Sequence, residues 1–440
     1  MIGPSSFDDK PDHTCPANAG PRSPRTTSRL QETGKGRGVA RGEHQAGKTL
    51  LCPIPPTSTI SAGPSTKAHP AKWRVFPDVR PLAIDDTIQE AIDNHAIVDF
   101  SLSGGKDSAA AAIAVSAWLD KRRHPVDLRS ATHAHLGVIE WPETIDHIKN
   151  LTEKLAIPLS IVSQEKGLID RWRRRFEAAK LRYAALECYH LIGPFSSASL
   201  RFCTSEMKTS PIRRSLSLRN PGATVISVIG VRADESPRRA NAPISSIDQL
   251  PSDRSPRPKL ISWNPIKDWT AQDVFDAHHA ARVPLHYAYT RHAMTRLSCA
   301  FCVLASRADV ENAAKCDVNA EAYRQITDLE ISSTFAFQPT RWLADTNTPQ
   351  PIDRAQLERA KRLNTIRRAL EDTLPPDLRY IKGWPPRIPN QQEARLIADV
   401  RSAILAHHEL ASPFQSPSAV IDRFAELHLR NAPSPTRRTG

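Results

Sequence analysis

No uncharged apolar run in this 440-residue chain is long enough to cross a bilayer. The longest, Ala109 to Leu119, is about half of the ~20 residues that a membrane helix needs, so no membrane partner is expected. Cysteines are few and odd in number, seven, and no secretory leader precedes them. That combination argues against a disulfide framework and for a reducing, cytoplasmic setting. No internal repeat is visible. Acidic charge is short: 47 Asp and Glu face 60 Lys and Arg, for a net charge of +13. The excess fits a polyanionic partner such as DNA or RNA, and equally fits solvated tails and helix faces, as in "RWRRRF" (Arg171 to Phe176). Residues 1–72 lack any apolar period and are rich in Pro, Ser, Thr and Gly, so a disordered basic tail is expected there.

What the chain does have begins at Trp73. A helix is expected near Ile84 to Asn94, a strand at Ile97 to Leu102, and an alanine-rich helix from Ala109 to Leu119. Next come a strand near Asp127 to Ala134, a helix opened by Pro142 and Glu143, and a strand near Pro158 to Gln164. Thr224 to Gly230 is the most β-branched run of all. Alternating strands and helices imply an α/β fold, a doubly wound parallel sheet with its ligand at the carboxyl ends of the strands. Asp234 to Lys259 reads as a long polar loop, and Thr270 to Asp273 as a capping box for a helix to about Ala281. Helices near Ile352 to Asp372, Gln391 to His408 and Ala419 to Leu429 carry no chemical motif. The expected division is a tail over 1–72, an α/β domain with a cysteine cluster over 73–310, and a helical C-terminal accessory region over 311–440.

Two stretches have the look of phosphate loops. Gly42 to Thr49 matches G-x-x-x-x-G-K-T, but turn and coil compositions flank it where a strand and a helix are required, so it is set aside. Ser103-Gly104-Gly105-Lys106-Asp107-Ser108 passes that test, lying between the Ile97 strand and the alanine-rich helix. Its glycines admit a bulky anion, the helix amides and positive dipole end face that anion, and two hydroxyls and an ammonium add donors. Arg232, Arg238 and Arg239 follow a strand end, where guanidinium forks suit phosphate or sulfate oxygens, unless they are ordinary solvated charges. Lys208, Arg213 and Arg214 follow Cys203 on an expected helix. Cys299-x-x-Cys302 lets two thiolates meet one metal centre. Zinc completed by His286 or His292, and plain burial, are the alternatives that the residues leave open.

The loop "SLSGGKDS" resembles the S-G-G-x-D-S loop of the ATP-pyrophosphatase (PP-loop) superfamily, whose fold is adenine nucleotide α-hydrolase-like. Four further stretches resemble the phosphoadenosine phosphosulfate reductase branch: "HAHLGVIEWPET" (His133 to Thr144), "RFCTSEMKTSPIRR" (Arg201 to Arg214), "VIGVRADESPRRA" (Val228 to Ala240), and "WNPIKDWTAQDVF" (Trp263 to Phe275) with "RLSCAFCVLAS" (Arg296 to Ser306). The resemblance implies cleavage of ATP, with Mg, between the α- and β-phosphates. It implies Ser101, Ser103, Gly104, Gly105, Lys106, Asp107, Ser108 and Lys208 as nucleotide-binding residues, and Lys106, Asp107, Arg232, Arg238 and Arg239 as the catalytic charges. It further implies a four-iron (4Fe-4S) cluster on Cys203, Cys299 and Cys302, although the family's first cysteine pair is Phe202-Cys203 here, so one ligand is missing; Cys316 or Cys188, neither at a motif position, is left as a fourth ligand, and zinc is the competing metal.

The departures matter too. His135 stands where the family has an aspartate, and no cysteine follows Cys316 to serve as a sulfonucleotide reductase's tail nucleophile. The expected activity is therefore ATP-driven adenylylation coupled to sulfur transfer from an unidentified donor. A sulfonucleotide reductase or transferase is the alternative, and a non-catalytic nucleotide- and nucleic-acid-binding accessory protein the second one.

Overall fold

Short β-branched and apolar segments that are buried on both faces pair in parallel, because only a covered sheet can satisfy them. The computed structural model describes residues 58–61, 80–248, 258–381 and 383–431. Its strands are β1 (Ser58–Ser61), β2 (Ile97–Ser101), β3 (Arg129–His135), β4 (Leu159–Ser163), β5 (Thr224–Val228), β6 (Ser245–Asp248) and β7 (Lys259–Trp263). They form one sheet in the order β1-β4-β3-β2-β5-β7-β6. The pairs β2–β3, β3–β4, β2–β5 and β5–β7 are parallel, and β1 and β6 close the two edges antiparallel. From β2 the chain winds outward to β3 and β4, then returns to lay β5 on the other side. The β2/β5 boundary is thus the switch point, where such sheets bind ligands.

The helices are α1 (Asp86–Asp93), α2 (Lys106–Lys121), α3 (Thr144–Leu155), α4 (Gly167–Ala184), α5 (Phe202–Thr204), α6 (Ser210–Arg219), α7 (Pro237–Ala240), α8 (Ala271–Ala280), α9 (Tyr287–Arg291), α10 (Arg307–Ala314), α11 (Ala320–Ser333), α12 (Arg354–Asp372), α13 (Gln391–His407) and α14 (Pro417–Asn431). α1, α2, α3 and α8 cover one face of the sheet in a single apolar core. α2 is buried nearly all round, so its alanines let it sit close to both the sheet and α8. α6 covers the other face over a smaller core of Ala134, Val162, Ile212, Leu216, Val225 and Leu260. Beyond the strand ends, α4 contributes Trp172 to a core shared with α10 and α11, and Phe176 and Tyr183 to a second core shared with α13 and α14. Arg401 on α13 lies over the Tyr183 ring and donates to Tyr183 O at 2.7 Å.

The doubly wound α/β fold is the expected one. Two elements differ from expectation. Within the expected polar loop after Asp234, β6 forms as a half-exposed edge strand, and β7 pairs with both it and β5. β6 is legible only as a partner of β7, since "SSID" has no apolar run. β1 falls within the stretch expected to be a tail. The Gly42 to Thr49 sequence lies outside the described residues.

One buried acid gives the fold a pH dependence. Glu330 on α11 accepts backbone N–H groups from Phe337 (2.6 Å), Leu343 (2.8 Å) and Ala344 (2.9 Å). Burial outweighs these bonds and pushes its carboxyl up to about 7. The native state therefore holds this proton more tightly than the unfolded chain. The stability it contributes is full below about pH 4.5 and is lost as pH rises through about 7, a change of roughly 3 kcal/mol. Thermal melting should show the midpoint falling between pH 5 and 8, and Glu330→Gln should flatten that slope.

Candidate functional site

β2 continues its parallel pairing one step past Ser101, through Leu102 N–H to Thr132 O (3.0 Å), and then turns. Gly104 has φ +76°, and a Cβ there would lie 2.9 Å from Thr144 Cγ2, so glycine is required twice over. Ser103 Oγ and Ser108 Oγ are 3.1 Å apart, Ser103 N–H donates to Ser108 Oγ (3.3 Å), and Ser108 Oγ donates to Gly105 O (2.9 Å). These bonds fold the loop back on itself. Gly105 caps α2 with no side chain of its own, and the first helical amide, Lys106 N–H, donates to Tyr289 Oη at 3.4 Å.

A second glycine, not singled out by the sequence reading, completes the cradle. Gly230 lies just past β5, across the switch point, and a Cβ on it would sit 2.5 Å from Asp107 C and Ser108 N. Both are backbone atoms, so any side chain at 230 must displace the loop. Gly230→Ala is expected to weaken nucleotide binding at least tenfold, measured by titration calorimetry, with the far-ultraviolet circular dichroism unchanged.

Charge gathers around the loop. Asp107 accepts from Lys106 Nζ (2.9 Å) and from Arg232 Nε (2.5 Å), and Arg232 also pairs with Asp234. Burial would raise the Asp107 carboxyl, but Lys106 and Arg232 outweigh it and hold the group below the usual range. Arg239, paired with Glu235, has its guanidinium pulled down by burial and then by Arg296, Arg201 and Arg232. Arg201 and Arg296 are thus brought to the same place from distant segments. Arg238 is exposed. Three of the "RWRRRF" arginines have partners within the protein. Arg171 pairs with Glu206 (2.7 Å), Arg174 with Asp170 (2.6 Å), and Arg175 donates to Gly193 O (3.1 Å).

Beside Ser103 a cavity of about 200 Å³ opens between the sheet and α6. Ser101, Ser227 and Ser262 line its sheet side, Lys208 and Arg213 its α6 side, and His133 and Glu140 also border it. Lys208 lies on the π turn Ser205–Thr209 that leads into α6. The register aligns Ser130, Asp99, Ser227 and Ser262 as a polar row across four parallel strands. Asp99 is fully buried and accepts from Ser130 Oγ (2.7 Å) and Thr132 Oγ1 (2.8 Å). Burial pushes its carboxyl up, against those bonds and Arg219 at 3.6 Å.

The described cysteines divide between two apolar cores. Cys203 on α5, with Cys299 and Cys302 before α10, packs against one apolar cluster. Burial pushes the Cys299 thiol up to about 12; Lys208 opposes this, while Cys302, Glu140 and Cys203 add to it. Leu304 N–H donates to Cys302 Sγ (3.4 Å). Cys316 Sγ lies 3.0 Å from His292 Nδ1. Cys188 sits in a different core, that of the C-terminal helices, and burial raises its thiol to about 11. Both nitrogens of His286 are engaged, Nε2 at 3.2 Å from Thr144 Oγ1 and Nδ1 accepting from Ala288 N–H.

A model of the phosphoadenosine phosphosulfate reductase domain matches residues 97–327, more than half of the chain. The chain belongs to the phosphoadenosine phosphosulfate reductase family. No curated protein matches it. The match opens at β2 and closes within α11, so it takes in the loop, the cavity and all three clustered cysteines. Helices α12 to α14 lie outside it. The family places the protein among nucleotide-utilising enzymes of sulfur metabolism. No described helix is long and apolar enough to cross a membrane.

Proposed function

We propose that the protein cleaves ATP between its α- and β-phosphates and adenylylates an acceptor oxygen, which sulfur then replaces with AMP as the leaving group. The observation that carries this reading is the complete S-G-G-K-D-S loop at the N-terminus of α2, beside the switch point of the sheet. Donors fixed in advance stabilise the charge that builds on departing pyrophosphate. Ser103, Ser108 and the first amides of α2 would bind it, with Lys106 and the Arg232/Arg239 group supplying charge. Asp107, kept ionised, would be the oxygen ligand for the magnesium that accompanies ATP. Ser101 and Lys208, on opposite sides of the cavity, would hold the nucleoside.

Cys203, Cys299 and Cys302, packed against one apolar cluster, would hold a four-iron cluster. Three thiolates would leave one iron without a protein ligand, which supplies a place to carry sulfur.

Incubating the full chain with ATP and Mg²⁺ should yield AMP and pyrophosphate, and ADP with phosphate would refute the proposal. A nucleic-acid acceptor should stimulate that cleavage and bind with a steep salt dependence. The family's name favours a second reading, sulfonucleotide reduction. Sulfite released from adenylyl sulfate or its 3′-phosphate with a thiol reductant, without ATP turnover, would establish it instead. An accessory protein would bind nucleotide and turn over neither.

A further inference from the structure

Where β3 ends, a turn brings Glu140 back onto the histidines of "HAHLGVIE". His133 is 2% exposed and its Nδ1 lies 2.9 Å from Leu102 O. A carbonyl oxygen can only accept, so Nδ1 carries the proton. The other ring nitrogen, Nε2, faces Glu140 Oε2 at 3.3 Å, in a buried place. His135 Nδ1 reaches the same oxygen at 2.5 Å, and Leu136 N–H does so at 3.4 Å. The three side chains bring their ligand atoms within 4.8 Å of one another.

We propose that His133, His135 and Glu140 form a binding site for a divalent transition-metal cation, separate from the cysteines. A divalent cation between Nε2 and the carboxylate would take both as ligands. A proton on Nε2, giving a histidine–carboxylate ion pair, is the competing arrangement, and it predicts no metal affinity. A ring that gives its other N–H to a backbone carbonyl is the usual arrangement for a metal-bound histidine, since that bond fixes the tautomer. The 3.3 Å separation matches two ligands at about 2.0–2.1 Å on a tetrahedral ion. His135 must give up its Nδ1 proton and retreat by under about 1 Å, which its partly exposed ring permits. Two imidazoles and one carboxylate suit Zn²⁺, Co²⁺ or Fe²⁺ over Mg²⁺. His133 and Glu140 also border the cavity beside Ser103, so a cation held there would lie at the edge of that cavity.

Co²⁺ titrated into chelator-treated, reduced full-length protein tests the site without reference to turnover. One equivalent should bind with visible d–d bands and no thiolate charge-transfer band. Glu140→Gln, near in shape, and His135→Ala, at a partly exposed position, should each weaken that binding at least tenfold with the melting temperature little changed. The proposal fails if Co²⁺ does not bind, if both variants bind as tightly as the parent, or if thiolate bands assign the ion to the cysteines.

Discussion

Asp107→Ala lowers ATP-dependent pyrophosphate release by at least a hundredfold while nucleotide affinity holds or rises. This split follows from the three-way contact of Asp107 with Lys106 and Arg232. Without nucleotide, the carboxylate neutralises both cations. Its removal frees an ammonium and a guanidinium beside the loop, which favours polyphosphate binding. The same change deletes the oxygen ligand proposed for magnesium, and a metal bound through one carboxylate and substrate phosphates does not survive that loss. Binding and turnover therefore move in opposite directions. Ser108→Ala behaves differently, because Ser108 Oγ bonds Ser103 N–H and Gly105 O, so both affinity and rate should fall. Equilibrium binding of a non-hydrolysable ATP analogue, set against kcat, separates the two cases. Equal losses of affinity and rate in Asp107→Ala would mean that the carboxylate acts only by holding the loop's shape.

The parts of this site that are legible in sequence are those built within a few residues. Ser103 to Ser108 announce themselves because glycines, hydroxyls and a helix start must be adjacent to make a cradle, and the strand before them is apolar. Contacts that cross the switch point are silent. Gly230 looks like any strand-end glycine until β5 lies beside β2 and its missing Cβ meets Ser108 N. Arg201 and Arg296 join Arg232 and Arg239 from segments scattered over nearly 100 residues. The His133–Glu140 contact depends on the turn at Gly137, φ +81°, which reverses the chain before the carboxylate returns. In α12 to α14 the helical period is plain, yet their docking on α4 through Arg401 and Tyr183 links positions 218 residues apart. The basic composition leaves two readings open, and the fold bears on one of them. Arg171, Arg174 and Arg175 are drawn into ion pairs and a carbonyl bond within the protein, so charge at those positions is less available to a polyanion than the count implies.

Anaerobic purification is expected to give brown protein whose iron and sulfide disappear together in Cys203→Ala, Cys299→Ala and Cys302→Ala. Each substitution removes one of three thiolates from a site with none to spare. Burial raises the Cys299 thiol to about 12, with only Lys208 opposing. A bound cation favours its ionisation, and a free thiol at that place stays protonated. Lys208→Met removes the opposing charge without touching a sulfur, so iron should still load but more slowly and with a requirement for higher pH. Cys188→Ala is the control: its thiol lies in the C-terminal core, and its loss should leave the iron content unchanged. Cys316, bonded to His292 and packed against the same cluster as the other three, distinguishes three ligands from four. Full iron content in Cys316→Ala means that one iron lacks a protein thiolate, as sulfur transfer requires. Complete loss means that the cluster is closed, and the sulfur-carrying role would then be abandoned. Colourless protein with one zinc, or no metal at all, would return the three cysteines to the apolar core around Trp141 and Phe301.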